Sequence, residues 1–290
     1  MPKRKLLLGN SGSEAVLVAK YTFETANDTL PNFNTGYTYE TIDVVNDDNT
    51  ITREIWSSKL PTTINFRNKN SLLSVEYLDC SKATTGNSMF YSCKSLTNVE
   101  NIINTSNMVG MSNMFYNCSL LQSLDLTSFN TKNVIDANQM FYGCSSLSEI
   151  LGIEDLNVEN LENTTNMFAR CSNLTSLDLS NWNISKVSNM SSMFRSCTNL
   201  KTIKTSGWVC DGSVTCNCES MFDMCGSLQS IYLPETLRCG NAVRMFRGCS
   251  TLTSLPHFYM STCTSERGNK CGVFQRSYYL LSFQNYAWSS

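Results

Sequence analysis

Charge is scarce in this chain. Only 16% of its 290 residues are Asp, Glu, Lys or Arg, and the net charge is −2. No basic excess is present to neutralise phosphates, which argues against a nucleic-acid partner, and no polybasic block marks an anionic bilayer. Long apolar runs are missing too, so no segment approaches the ~20 residues of a membrane span and no membrane insertion is expected. The start, Met1 to Asn10, begins basic, but its apolar part is Leu6 to Leu8 alone. A secretory core needs roughly 7–15 such residues. No Cys lies near the start to carry a lipid. The expectation is a chain made in a cytoplasm that leaves by lysis or with a particle. Histidine is nearly absent as well. His257 is the single one, after Leu255-Pro256 in a strand position, and it reads as solvated. No P-loop, dinucleotide fingerprint or H-E-x-x-H occurs. Nothing marks convergent groups for acid–base or nucleophilic work. The chain is read as a non-enzyme with no cofactor.

What is present is a repeat. The pattern M-F-x-x-C-x-x-L opens at Met89, Met114, Met140, Met167, Met193, Met221 and Met245. Cys93, Cys118, Cys144, Cys171, Cys197, Cys225 and Cys249 follow four places on, and a Leu seven places on. Degenerate copies flank the set, at Asn65-Phe66 with Lys69 and Leu72, and at Val273-Phe274 with Ser277 and Leu280. That makes nine units with steps of 24 to 28 residues. Fourteen Cys would mean disulfides in a short secreted protein, but seven of these form one column. A free Cys packs as a small, soft hydrophobe, so the column is read first as a core ladder. Its members would lie about 4.8 Å apart, inside bridging range. Cys210, Cys216, Cys218, Cys239, Cys263 and Cys271 fall outside the column. Cys216-Asn217-Cys218 is too tight for the C-x₂₋₄-C spacing of a zinc site, and no metal is expected.

In one unit, Met114, Cys118 and Leu121 stand at i, i+4 and i+7, the spacing of a helical face. Ser112 and Asn113 stand where N-caps belong. Leu124 and Leu126 then read as inward positions of a short strand. Phe129 has counterparts at Trp182 and Trp208, an aromatic column. Val134 aligns with Met108, Leu161 and Val187. Each unit is therefore expected to be a short strand plus a short helix, and about nine such turns would stack into a leucine-rich-repeat-like solenoid. Residues 1–12 read as an N-terminal arm. Residues 13–60 read as a small β-rich N-terminal cap. Its strand Ala15 to Phe23 would turn Leu17, Ala19, Tyr21 and Phe23 to one face, and a hairpin would fold around Asn46 to Asn49. Residues 61–290 form the solenoid.

Two surfaces are candidates for function. The outward strand column carries Glu76, Glu100, Asp125 and Asp178, broken by Leu151. It continues with Lys204, Tyr232 and, nearby, His257. Stacked carboxylates repel, so this face either has turn-bonding and solvation roles or is a recognition face. The C-terminal aromatics Tyr278, Tyr279, Phe283, Tyr286 and Trp288 either seal the end of the array or dock a subunit or partner.

The stretch Leu174-Thr175-Ser176-Leu177-Asp178-Leu179-Ser180-Asn181-Trp182-Asn183, together with N-M-F-x-x-C-x-x-L, resembles the BspA-like class of leucine-rich repeat. It is closest in kind to the 26-residue subtype of bacterial surface proteins and mycoplasma lipoproteins. The resemblance covers roughly residues 61–290. It implies a right-handed solenoid with one strand per turn, and adhesion or recognition without catalysis.

The function expected is recognition or adhesion by a bacteriophage virion protein, a fibre or decoration. It would be assembled in the bacterial cytoplasm with reduced Cys and attached through the arm. It would face a protein or glycan on the host surface. The alternatives are a bacterial cell-surface adhesin and an intracellular protein-binding scaffold. A homo-oligomer is compatible with such an array, although no heptads enforce one.

Overall fold

The computed structural model describes residues 3–5, 14–24, 29–33, 39–209, 212–253 and 259–260. Its N-terminal part is antiparallel. The strands are β1 (Lys3–Lys5), β2 (Glu14–Phe23), β3 (Asn32–Phe33), β4 (Tyr39–Val45), β5 (Ile51–Ser57), β6 (Ile64–Asn65) and β7 (Leu72–Asp79). β8 (Asn98–Val99) and β9 (Ile102–Ile103) follow. The main sheet runs β4-β5-β2-β7-β8, with β1 added on β2 and β9 on β7. Residues 3–5 of the expected arm are thus an edge strand, paired with residues 14–16. The β4–β5 hairpin turns at Asn46 to Asn49, where Asn49 has φ 63°.

One face assignment changes. The pairing of β2 with β5 slips between Leu17 and Ala19, so Val18 is an extra, bulged residue. A bulge shifts the alternation by one. Val18, Ala19, Tyr21 and Phe23 face the main core, while Leu17 joins Ala15 and Trp56 in a second cluster on the other side.

β7 is the seam. It pairs antiparallel with β2 on one edge and parallel with β8 and β9 on the other. The sheet of the cap therefore runs past residue 60 and becomes the first strand of the solenoid. Beyond it the chain winds as a β-solenoid of about seven turns. Parallel strands mark the coils: β10 (Ser123–Asp125) with β11 (Glu149–Leu151), β12 (Ser176–Asp178) with β13 (Thr202–Lys204), and β14 (Thr215–Asn217), β15 (Arg238–Asn241) and β16 (Tyr259–Met260). Their middle residues Leu124, Ile150, Leu177 and Ile203 point inward.

The expected helix in each unit is absent. Among the described residues the one helical element is a 3₁₀ turn at Thr105–Asn107. The Met-Phe-x-x-Cys stretch is a run of tight turns. The N–H groups of Met114, Tyr116, Cys118 and Leu121 donate to the carbonyls of Met111, Asn113, Phe115 and Cys118 at 3.1–3.3 Å. Those of Asn113, Phe115 and Asn117, lying between, donate instead to Asn138, Met140 and Tyr142 of the next coil at 2.7–2.8 Å. An α-helix would keep all of these bonds within itself. The cause is backbone conformation. Asn113 and Asn117 sit at φ 57° and 54°, and Ser88/Ser92, Gln139/Gly143, Asn166/Arg170, Ser192/Ser196, Ser220/Met224 and Arg244/Gly248 repeat this in every coil that carries Met-Phe. Paired left-handed residues break a right-handed helix. They suit the third position of a type II turn. Asn113 is thus a left-handed turn residue, not an N-cap. Met, Cys and Leu still face inward, because successive turns bring every third or fourth residue to the same side.

The core is a set of columns. Phe66, Phe90, Phe115, Phe141, Phe168, Phe194, Phe222 and Phe246 stack with centroids 5.2–5.8 Å apart. Tyr21 of the cap closes the stack edge-on against Phe66. Met108, Val134, Leu161 and Val187 are buried as aligned. In the aromatic column Trp182 and Trp208 are buried, whereas Phe129 is partly exposed.

Close approach between coils fixes one glycine. A Cβ on Gly207 would lie 2.1 Å from the Ser180 carbonyl oxygen. Gly207→Ala is expected to cost about 1–3 kcal/mol, the usual overpacking range, in urea unfolding. Gly226→Ala, whose Cβ would meet nothing nearer than 3.9 Å, serves as the near-neutral control.

Candidate functional site

The outward strand column exists in register. Asp125 lies opposite Leu151 and Asp178 opposite Lys204. The Thr202–Ser230 bridge carries the column on to Tyr232, which is 52% exposed. Its carboxylates are already engaged. Asp125 accepts from the Thr127 N–H and hydroxyl at 2.8 and 2.6 Å. Asp178 accepts from the same two groups of Ser180 at 3.1 and 2.7 Å, and from Lys204 Nζ at 2.8 Å. The Lys204 bond, then that of Ser180, pulls the Asp178 carboxyl down to about 2. Glu76 accepts from Thr22 and Ser74, and Glu100 from Asn98. These side chains hold turns and neighbours, as Asx residues do. His257 and the aromatics Tyr278, Tyr279, Phe283, Tyr286 and Trp288 lie outside the described residues, as do Ser277, Cys210, Cys263 and Cys271.

A second edge was not foreseen. The residue after most of the stacked Phe lies at the surface, Ala169 and Asp223 being buried exceptions. In three successive coils it is Tyr91, Tyr116 and Tyr142, whose rings stack 4.6 and 4.8 Å apart, within 5° of parallel. Arg67 lies over Tyr91 at 4.4 Å and Arg170 over Tyr142 at 5.4 Å. The result is a half-buried tyrosine ladder closed at both ends by exposed guanidinium groups. Burial first, then the neighbouring Tyr142 and Tyr91, raises the Tyr116 phenol above its ordinary value, so it stays protonated at neutral pH. Further along the same column Arg247 grips the buried Asp223 with two bonds of 2.7 and 2.6 Å, and Arg195 approaches it at 3.4 Å. The sequence signal was the F-Y pair in three consecutive units. A helical reading hid it, because it left no column for the residue beside Phe.

A third feature is a surface groove of about 290 Å³ lined by Val109, Asn133, Ile135, Asn160, Glu162 and Lys186. Lys186 Nζ donates to Asn160 Oδ1 at 2.7 Å across it. Inside the solenoid, a void of about 20 Å³ between Met111, Val134, Leu156 and Trp182 has room for little more than a water.

The column thiols are donors. Cys93, Cys118, Cys144, Cys171, Cys197, Cys225 and Cys249 each place Sγ 3.0–3.1 Å from the carbonyl oxygen of the Phe one coil earlier. That oxygen also accepts a turn N–H, so both of its lone pairs are used. The bond needs the protonated thiol. Burial pushes Cys144 and Cys197 up to about 12. All described cysteines are free. Among the described residues no group of three or more His, Cys, Asp or Glu is arranged to hold a metal ion.

Residues 62–152, 125–232 and 148–257 each match the model of a family described as Mycoplasma protein of unknown function, DUF285. Together they span residues 62–257, well over half of the chain. The chain belongs to the DUF285 family. The overlap of the three matches is what a coil-by-coil repeat produces. No curated protein and no solved structure matches.

Proposed function

We propose that this DUF285 protein is a non-enzymatic recognition protein whose contact face is the Arg67–Tyr91–Tyr116–Tyr142–Arg170 ladder. The observation that carries this reading is the ladder itself. It exposes planar aromatic edges and cations at coil spacing, a composition common at binding hot spots. The outward Asp125 and Asp178, by contrast, are occupied by turn bonds. The partner class is a protein or glycan on a host surface. We also read the coils as kin to BspA-like leucine-rich repeats, on the Leu and Asp positions of Leu174 to Ser180. The thiol donors support folding in a reducing compartment, as for a virion component assembled in a bacterial cytoplasm and then carried out on the particle.

The test is binding of the labelled protein to arrayed glycans and intact bacterial cells. The Tyr91→Ser, Tyr116→Ser, Tyr142→Ser triple variant is compared with wild type, and circular dichroism confirms that it is folded. Binding is expected to fall roughly tenfold or more, since losing a good aromatic anchor costs over ~1 kcal/mol. Equal binding by the folded variant, or no binding by wild type, would overturn the reading. Absence of the protein from purified particles would remove the virion placement.

A further inference from the structure

Cys218 and Cys239 behave unlike the seven column thiols. Each column thiol has a carbonyl acceptor at 3.0–3.1 Å. Cys218 Sγ has its nearest carbonyl, that of Cys216, at 3.8 Å, and its close contact is Cys239 Sγ at 2.8 Å. Both sulfurs are buried and unbridged. The backbone explains the approach. β14 and β15 are parallel neighbours with Cys216 opposite Cys239, but the register then slips, and Asn217 faces Asn241. Gly240 is the extra residue. A Cβ there would meet Thr215 Cγ2 at 2.6 Å, so a small residue lets the bulge close and turns Cys239 toward Cys218. Cys218 lies two residues past the Cys216–Cys239 pair, and its sulfur, 2.8 Å from that of Cys239, has to move in by less than ~1 Å to reach the ~2.05 Å of a disulfide.

We propose that Cys218 and Cys239 are an oxidation site, forming a disulfide that staples two neighbouring coils when the protein meets hydrogen peroxide. The burial of both sulfurs favours a small oxidant over a bulky disulfide such as oxidised glutathione. The Cys239 sulfur, as thiolate, attacks the O–O bond, giving a sulfenic acid and a hydroxide, which takes up the released proton. The second sulfur then displaces the sulfenic hydroxyl as water, and the S–S bond forms. Two thiols lose two hydrogens and one peroxide becomes two waters. The column thiols, each held to a carbonyl, are left reduced.

The experiment treats the reduced full chain with peroxide, then uses alkylation, intact mass and peptide mapping. A loss of two hydrogens, one linked peptide pair joining Cys218 to Cys239, and a higher melting temperature than the reduced form are expected. Cys216→Ser retains the link. Cys239→Ser abolishes it, and its reduced-form circular dichroism and melting check that it is folded. A bridge through Cys216 or any other cysteine, or sulfinic acid at Cys218 without a bridge, would overturn the proposal.

Discussion

Raising the pH of the reduced protein from neutrality to about 10 is expected to remove roughly 6 kcal/mol of stability, a large share of the ~5–15 kcal/mol that holds a typical domain folded. The thiols are the reason. Burial holds Cys80, Cys144, Cys197 and Cys249 at about 12 in the fold, against roughly 8.5–9 for a cysteine in an unfolded chain. A raised value means that the folded state keeps its proton longer. The stability is intact below about pH 9, is lost progressively above it, and the loss is complete only near pH 12. At pH 10 each such thiol has released about 1–2 kcal/mol in favour of the unfolded chain. Cys118, Cys171, Cys218 and Cys225 are raised in the same direction and add to the effect. Urea unfolding in reductant, repeated from about pH 7 to 10.5, checks this, since the slope against pH counts the protons lost on unfolding. A slope of four or more protons near pH 10 is expected. A slope of one or less would mean that the column ionises inside the fold. Cys144→Ala should reduce the slope by one.

The second large effect is Phe168→Ala. Phe168 is fully buried and stacks on Phe141 at 5.4 Å and Phe194 at 5.5 Å. Emptying that site costs about 3–5 kcal/mol. In a solenoid the loss falls on an interface between neighbouring coils, so cooperativity suffers as well as stability. Unfolding is expected to split into two transitions, the cap-side half outlasting the other. Phe246→Ala removes one described stacking partner instead of two and should leave a single transition. Equal, single transitions for both variants would show that the ring stack does not couple the coils.

The columns were legible because composition repeats at a fixed step, and an inward position must be apolar in every coil whatever the backbone does. Met114, Cys118 and Leu121 were therefore placed inside correctly while their secondary structure was misread. Spacing of i, i+4, i+7 fits a helix, and it also fits turns of three and four residues laid end to end. The deciding signal was Asn, Ser or Gly at both Asn113 and Asn117 and their equivalents, residue types that tolerate left-handed backbone. Gln139, Arg170, Met224 and Arg244 occupy the same conformation and blur that signal. The bulge at Val18 left no mark, since Leu17 and Val18 are equally apolar. On the surface, Asp125 stands opposite Leu151 and Asp178 opposite Lys204, as the repeat step places them. That these Asp residues bind the residue two places on was foreseeable from D-L-T and D-L-S. The tyrosine ladder was not, because it depends on the turn geometry that the helix had displaced.

β7 has a consequence for how such a molecule lengthens. It gives the first coil a finished strand edge, and each coil then offers the next the same set of donors and acceptors that it received. A whole coil is thus an exchangeable part. Removing or duplicating one keeps the backbone ladder, the Phe stack and the thiol-to-carbonyl bonds of the column and moves everything beyond it by one ring spacing, 5.2–5.8 Å. The distance from the cap to any exposed ladder changes in whole steps, so recombination between repeats can adjust reach without redesigning a single contact.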